Sequence, residues 1–446
     1  GLGLPLLIRF SDILQDRLRH LHECFHSAIK AEGYEGQYLG VYPIKVNQQR
    51  QVVEEIVKFG ATHNIGLEVG SKPELYAVLA TLEAPDTRII CNGYKDASYV
   101  RLALLGQQLG KKIFLVVEKP KELGLILRVA NELGVRPDLG VRIKLVSSGS
   151  GKWEDSGGDH SKFGLSAAEL VEAVAELRAQ GHLAEFRLIH MHLGSQITNI
   201  RRIKEAMREV TRYLVELHRL GCHIDHVDLG GGLGVDYDGS RTAGGFSINY
   251  TEQEYANDIV GALVDVCRQE NLPHPTIITE SGRALTAHHA LLAFNVLDRA
   301  SLDLPNWKPP ADAPEEEIPE LVQRLEALHA KLNRKTLHEY WHDALHLRDE
   351  ANTLFALGHL SLHARARVDQ TFWMIARRVE WLMSQEKRVP DEFEQLETLL
   401  ADKYFCNFSV FQSLPDSWAM GQEFPVMPLH RLNEKPVRKV ILQDIT

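Results

Sequence analysis

From Tyr38 onward, short apolar, β-branched runs alternate with segments of helical period, and the alternation lasts through eight cycles. The strand-like runs are Tyr38–Ile44, Ile65–Val69, Arg88–Cys91, Lys112–Val117, Leu139–Leu145, Phe186–His192, Ile224–Leu229 and Thr276–Thr279. Helices are expected over Gln48–Phe59, Lys72–Leu82, Ala97–Leu109, Lys121–Leu133, Ala167–Gln180, Ile200–Leu220 and Glu252–Glu270, after a lead helix at Asp12–Glu32. Such a rhythm specifies strand-helix-strand units and a parallel sheet. Ser71 with Glu74, and Ser166 with Glu169, have the spacing of a capping box. Gly60, Gly110, Gly134, Gly181 and Gly221 stand where a left-handed helix cap is needed. Ile203, Met207, Val210, Leu214 and Leu217 fall on one helical face, toward a sheet. Eight units in about 260 residues match an α/β (β/α)8 TIM barrel. A doubly wound open sheet is the alternative.

The rhythm stops near Leu297. Residues 303–320 are rich in proline and acid and read as a linker, and Leu321 to Leu400 is helical in pattern throughout. Phe405–Leu414 and Arg438–Ile445 return to strand-like alternation. The expected division is a lead segment (1–37), the barrel (38–300), a linker and helical-bundle insertion (301–400), and the start of an incomplete β domain (401–446).

Composition excludes several functions. A formal charge of −10 disfavours nucleic acid and anionic membranes as partners. No apolar run approaches the roughly 20 residues that span a bilayer. Cys24, Cys91, Cys222, Cys267 and Cys406 are dispersed, without metal-ligand spacing, which suggests reduced thiols and a cytoplasmic location.

In a barrel, the loops after the strands form the active face, and the polar residues gather there. The first strand ends in Lys45; the second contains Glu68; the third leads into Asn92-Gly93-Tyr94-Lys95. Arg142 lies in the fifth, which leads to a Gly/Ser loop and His160 to Gly164. The sixth ends in His190, His192, Ser195 and Gln196; the seventh in Asp228 to Tyr237; the eighth in Glu280-Ser281-Gly282-Arg283. A lysine at the end of a buried strand can be a neutral, Schiff-base-forming amine, or a side chain whose head reaches solvent. Gly230-Gly231-Gly232 can cradle a phosphate through backbone N–H groups, or form a plain tight turn. Arg283 adds a cationic fork for the same anion. Glu280 can hold a pyridine nitrogen protonated, or pair with Arg283 at the surface. His192 can stack on a planar cofactor or be a core histidine. His190, two positions earlier on a strand, should point the same way. Together these are the parts that pyridoxal phosphate requires.

The stretches VYPIKVNQ, GLEVGSKPEL, CNGYKD, HSKFGL, HLGSQ, DLGGGLGVDY and FSVFQSLPDSWAMGQEFPVMPLHRLNE closely resemble the biosynthetic arginine decarboxylases, of the alanine-racemase-like class of pyridoxal-phosphate enzymes. The resemblance implies decarboxylation of L-arginine to agmatine and CO2, the first step of a polyamine route. It makes Lys45, His192 and Glu280 catalytic. It adds Glu68, Ser195, Gly231, Gly232 and Arg283 as cofactor ligands, Glu68 standing where relatives carry an acid close to the lysine. Ligand binding is assigned to Val227, Asp228, Leu229, Gly230, Gly231, Gly232, Leu233, Gly234, Val235, Asp236 and Tyr237. It further implies Mg2+, which no motif places, and a homodimer or homotetramer with sites at the interface. The family continues beyond Thr446 into a segment that supplies a cysteine and an acid to the neighbouring subunit, and it has a segment before Gly1. The expectation is therefore a fragment with an incomplete β domain and half an active site. The alternatives are a decarboxylase or racemase of the same class acting on another amino acid, or a non-catalytic decoy.

Overall fold

The computed structural model describes residues 2–82, 87–146, 161–302, 318–385, 390, 393–436 and 439–445. Most of the linker, His160 and the Gly/Ser loop before it lie outside the described residues. The chain forms two compact units: Leu7–Leu291 with Ala419–Val426, and Gly1–Leu6 with Leu292–Trp418 and Met427–Thr446.

The first unit is a closed barrel of eight parallel strands. They are β1 (Tyr38–Pro43), β2 (Gly66–Val69), β3 (Arg88–Cys91), β4 (Lys112–Val117), β5 (Asp138–Arg142), β6 (Phe186–His190), β7 (His226–Asp228) and β8 (Thr276–Thr279). β1 pairs with β2 through Val41 and Gly66, and with β8 through Tyr38 and Ile277. Closure rules out the open sheet. Around the strands run α1 (Ser11–Glu32), α2 (Arg50–Gly60), α3 (Lys72–Thr81), α4 (Ala97–Gln108), α5 (Pro120–Leu133), α6 (Ala167–Ala179), α7 (Ile200–Arg219) and α8 (Glu252–Glu270).

Strand alternation divides the core. Leu39, Val41, Ile90, Phe114, Val116, Leu188 and Ile278 pack together inside the barrel. Residues of the opposite parity, such as Tyr42, Leu67, Ile89, Leu115, Ile189 and Ile277, join the helices in a larger outer core. Two positions beyond Ile90, Val116, Leu188 and Ile278 come Asn92, Glu118, His190 and Glu280. The inward row that is apolar through the middle of the barrel therefore ends in polar groups at its carboxyl end.

At the helix ends, local chemistry follows the sequence with two exceptions. The α7 stripe (Ile203, Met207, Val210, Leu214, Leu217) is buried as its period demands, and Ser166 with Glu169 forms the full capping box of α6. Ser71 makes no side-chain cap; Glu74 instead accepts the backbone N–H of Gly70 at 2.6 Å. Gly110, Gly134, Gly181 and Gly221 have positive φ, but Gly60 does not. The chain continues from Gly60 into a tight turn at Ala61–His63 and reverses at Asn64 (φ 54°). Gly60 is small because a Cβ there would sit 2.6 Å from that of Ile65.

In the second unit α10 (Glu320–Lys331), α11 (Leu337–Ala356), α12 (Leu362–Met383) and α13 (Glu394–Leu400) share a separate core. Trp341 stacks on Phe372 at 5.6 Å, and the Arg348 guanidinium lies 4.3 Å from the centre of the same ring. A three-stranded sheet pairs β9 (Val296–Ala300) antiparallel to β10 (Asp402–Cys406), and β10 parallel to β11 (Val440–Gln443). The strand expected over Phe405–Leu414 ends at Cys406. Val410–Ser413 is a helical turn instead, its first N–H held by Asp444 Oδ2 at 2.9 Å.

Candidate active site

Lys45 stands just past β1, in the single turn Ile44–Val46. Its Nζ donates to Glu68 Oε1 at 3.3 Å; the lysine side chain is 54% exposed and the glutamate wholly buried. The expectation of a buried neutral amine is not met. Burial pulls the Lys45 pKa down, but the carboxylates of Glu68, Glu280 and Glu118 outweigh it and raise the pKa above the ordinary lysine value. The group is an ammonium held by acids.

Those acids are out of water. Desolvation pushes Glu68 and Glu280 each up to about 7, each repelled by a neighbouring buried acid, and Asp228 also to about 7. Asn92 lies between the two glutamates: its Nδ2 donates to Glu68 Oε1 at 3.1 Å and to Glu280 Oε1 at 2.8 Å. On the far side, His190 Nδ1 lies 3.1 Å from Asp228 Oδ2 and 3.7 Å from Glu280 Oε1. Burial lowers the His190 pKa, so the ring is neutral at neutral pH. Glu280 thus faces Asn92 and His190 in the interior, and the pairing of Glu280 with Arg283 at the surface is not formed.

Arg283, in the short helix α9 (Gly282–Thr286), points to another cluster. Its Nη1 donates to Tyr237 Oη at 2.9 Å and its Nη2 to Ser195 Oγ at 3.2 Å. The glycine turn adjoins Gly194, the residue before Ser195: a Cβ on Gly232 would lie 3.5 Å from Gly194 O. Gly230 has φ +61°, and a Cβ there would meet Met191 O at 2.2 Å, so no other residue fits. A Cβ on Gly231 would lie 3.4 Å from His192 Cε1, which sets the His192 ring against this turn. β6 ends at His190, so strand alternation does not carry on to His192, and the two rings occupy different surroundings. Burial holds the His192 pKa well below the usual histidine value, and Arg142, His190 and Lys45 lower it further.

The segment Val227–Tyr237 is braced along its length. Leu229 N donates to Ile278 O, Gly230 N to Asp228 Oδ1, and Ile197 N to Gly232 O, each at 2.9 Å. Gln196, buried and in the left-handed region (φ 53°), grips Val235 twice: Nε2 donates to its carbonyl at 2.6 Å and Oε1 accepts its N–H at 2.9 Å. Gly234 N donates to Tyr250 Oη at 3.1 Å. Val227, Leu229, Leu233 and Val235 are buried supports, while Gly231, Gly232, Asp236 and Tyr237 keep exposed surface.

A second buried layer lies beside β4 and β5. Arg142 Nη1 donates to Glu118 Oε1 at 2.7 Å, and the fully buried Lys95 Nζ donates to Gly93 O at 2.8 Å with Glu122 Oε2 3.6 Å away. Asn92, His190 and Asp228 are central to the geometry, yet residue type alone assigned none of them a part. The signal that finds Asn92 and His190 is parity with the inward apolar row.

The chain matches the pyridoxal-binding domain of the pyridoxal-dependent decarboxylases over residues 16–287, and the arginine decarboxylase helical bundle domain over residues 315–397. It is 53% identical over 446 residues to the biosynthetic arginine decarboxylase of Bacteroides thetaiotaomicron, covering 99% of this chain and 70% of that one. It is 48% identical to that of Gloeobacter violaceus, covering 100% of this chain and 69% of the relative. The crystal structure of the biosynthetic arginine decarboxylase of Campylobacter jejuni superposes with a TM-score of 0.82 at 34% identity, over 99% of this chain and 70% of that chain. Diaminopimelate decarboxylase of Helicobacter pylori, at 23% identity and a TM-score of 0.54 over 68% of this chain and 69% of its own, has the same barrel fold. Barrel and motifs define a pyridoxal-dependent decarboxylase. Within that class, the chain belongs to the biosynthetic arginine decarboxylase family.

Proposed function

We propose that this chain binds pyridoxal phosphate at the carboxyl end of the barrel and decarboxylates L-arginine to agmatine and CO2, opening a polyamine route. The observation that supports this best is the continuous contact from Lys45 through Glu68 and Asn92 to Glu280, in a chain of this family. The residues fit the cofactor. Lys45 presents an accessible Nζ for its aldehyde, and Glu280 is a buried acid for its ring nitrogen. Arg283, Ser195, Gly231 and Gly232 are an arginine, a hydroxyl and unobstructed backbone for its phosphate. Glu68 Oε2 and Asn92 Oδ1 are buried without a hydrogen bond, polar capacity that a polar ligand uses.

When bound, the cofactor supplies the electron sink for the charge left as the carboxylate departs. The chain's residues do the rest. Glu280, fixed by the amide of Asn92 and lying beside His190, would hold a proton at the ring nitrogen. The neutral His192 ring suits stacking on a flat ligand. Glu68 keeps the ammonium of Lys45 in place, so a proton at Nζ is available at the reacting centre. Val227–Tyr237 forms the wall of the ligand site, presented through Gly231, Gly232, Asp236 and Tyr237.

Mg2+ finds no fitting site among the described residues. The one converging group there, His190, Asp228 and Glu280, has ligand atoms within 4.8 Å of one another. It is fully buried and includes an imidazole, whereas Mg2+ takes octahedral oxygen and keeps waters. No described helix is long and apolar enough to cross a membrane. With five free, buried cysteines, a cytoplasmic setting is the proposal. A homodimer or homotetramer is proposed on the resemblance, and light scattering tests it.

The functional experiment measures CO2 release from carboxyl-labelled arginine, ornithine, lysine and diaminopimelate, with borohydride reduction and peptide mapping. Release from arginine alone, with the reduced adduct on Lys45, is the expected result. Release from another amino acid in preference overturns the substrate, and an adduct elsewhere overturns the site.

A further inference from the structure

We infer that Asn92 is a positioning residue that joins the acid beside Lys45 to the acid assigned to the ring nitrogen, so that Glu68 and Glu280 act as one coupled pair. This deepens the reading above and rests on its assignment of Glu280.

The argument begins with donors. A primary amide nitrogen carries two N–H groups at one point. Asn92 Nδ2 contacts Glu68 Oε1 and Glu280 Oε1, 3.1 and 2.8 Å away, so each carboxylate takes one N–H. Neither a hydroxyl nor a carboxylate at this position offers two donors. Turning the amide over would set its oxygen against two acids, so its orientation follows from its neighbours. All three side chains are out of water, where such bonds are strong and their loss is costly.

The backbone holds the amide in place. Asn92 N donates to Val69 O at 2.8 Å, and Tyr99 Oη reaches Asn92 O at 3.2 Å. Gly93 (φ +74°) passes so close to β2 that a Cβ there would lie 2.0 Å from Gly70 O. Lys95 Nζ then fastens the Gly93 carbonyl from beneath. The turn delivers one side chain to one point between two strands, β2 and the end of β8.

The coupling has a chemical meaning. The charge on Glu280 disfavours that on Glu68, a repulsion mutual between two like charges; Asp228 adds to it at Glu280, and Asn92 offsets part of the cost for both glutamates. Without its N–H groups, both acids hold their protons to higher pH. Less negative charge then faces the ring nitrogen and Lys45 in the same pH range.

The test reads the acids directly, in cofactor-free protein labelled with 13C at the glutamate carboxyls, followed by infrared spectroscopy against pH. Glu68→Gln and Glu280→Gln assign the two buried bands. The expected result for Asn92→Asp and Asn92→Ala is that both bands titrate at higher pH than in the wild type. In loaded enzyme, at matched cofactor occupancy, the acidic limb of the kcat profile moves to higher pH, kcat falls tenfold or more, and KM changes little. If the variants do not fold, Glu68→Gln in the wild-type background serves: it lowers the pH at which Glu280 titrates. Movement of only one band, no movement, or an unaltered Glu280 titration in Glu68→Gln overturns the coupling. Failure of the cofactor reading is a separate outcome, seen as an adduct off Lys45 while the cofactor-free titrations still move together.

Discussion

The carboxylate of Glu68 and the ammonium of Lys45 meet at 3.3 Å, one wholly buried and the other half in solvent. The contact sets the charge of the lysine. Glu68 raises the Lys45 pKa and burial lowers it. Glu68→Gln is therefore expected to lower the pH midpoint for reductive methylation of Lys45 in cofactor-free protein and to speed labelling at pH 8 severalfold. An unchanged midpoint would show that Glu280 and Glu118 hold the charge instead.

Glu280 gives a pH signature in stability. Its folded-state pKa of about 7 lies above the ordinary carboxyl value, so the folded protein binds the proton more tightly than the unfolded chain. The contribution is fully present below the ordinary carboxyl pKa and is lost as pH rises through about 7. Glu280→Gln, which never ionises, should match the wild type near pH 4 and exceed it at pH 8, by roughly 5 °C in Tm. Turnover of the variant should fall strongly with cofactor still bound. A Tm difference independent of pH would remove Glu280 from the set of raised acids.

Arg283 reaches Ser195 and Tyr237, away from the acids. If it serves the phosphate, Arg283→Met should weaken binding of pyridoxal phosphate by roughly 10- to 100-fold, a loss of about 1.4 to 3 kcal/mol. Pyridoxal, which lacks the phosphate, should bind both proteins alike. Fluorescence titration with both ligands separates this from general damage, which would weaken the two equally.

Two glycines with similar backbone angles should respond differently to alanine. Gly230 (φ +61°) would place a Cβ 2.2 Å from Met191 O, whereas Gly239 (φ +74°) would meet nothing within 4 Å. Gly239→Ala should cost only the left-handed strain of about 1 kcal/mol. Gly230→Ala adds a backbone clash and should cost at least about 2 kcal/mol more. Urea unfolding measures both, and equal losses would contradict the close approach at Gly230.

The barrel was legible because each strand buries an apolar row of period two, bounded by helical segments. That information is local and repeated. The site was legible where a residue type is unusual for its position: Lys45 after a strand, glycines in a row, an acid and an arginine three apart. The partnerships between strands were not. Nothing along the chain joins Asn92 to Glu280, and the proximity of Glu280 to Arg283 in sequence suggested a pair that the inward turn of Glu280 prevents. The raised pKa of Lys45 was missed for the same reason, since it depends on three acids in or just past three other strands. Val410–Ser413 was misread because aromatic alternation there is short enough to fit one helical turn.

Gln196 holds Val235 at both its N–H and its carbonyl. The loop after β6 and the loop after β7 are thereby tied together by two hydrogen bonds of the protein's own. A ligand arriving at the glycine turn has little chain left to order, so association loses little conformational entropy. The calorimetric trace of phosphate-ester binding should then show a small heat-capacity change, and in Gln196→Ala the same binding should become more exothermic and entropically more unfavourable as the two loops are ordered by the ligand itself.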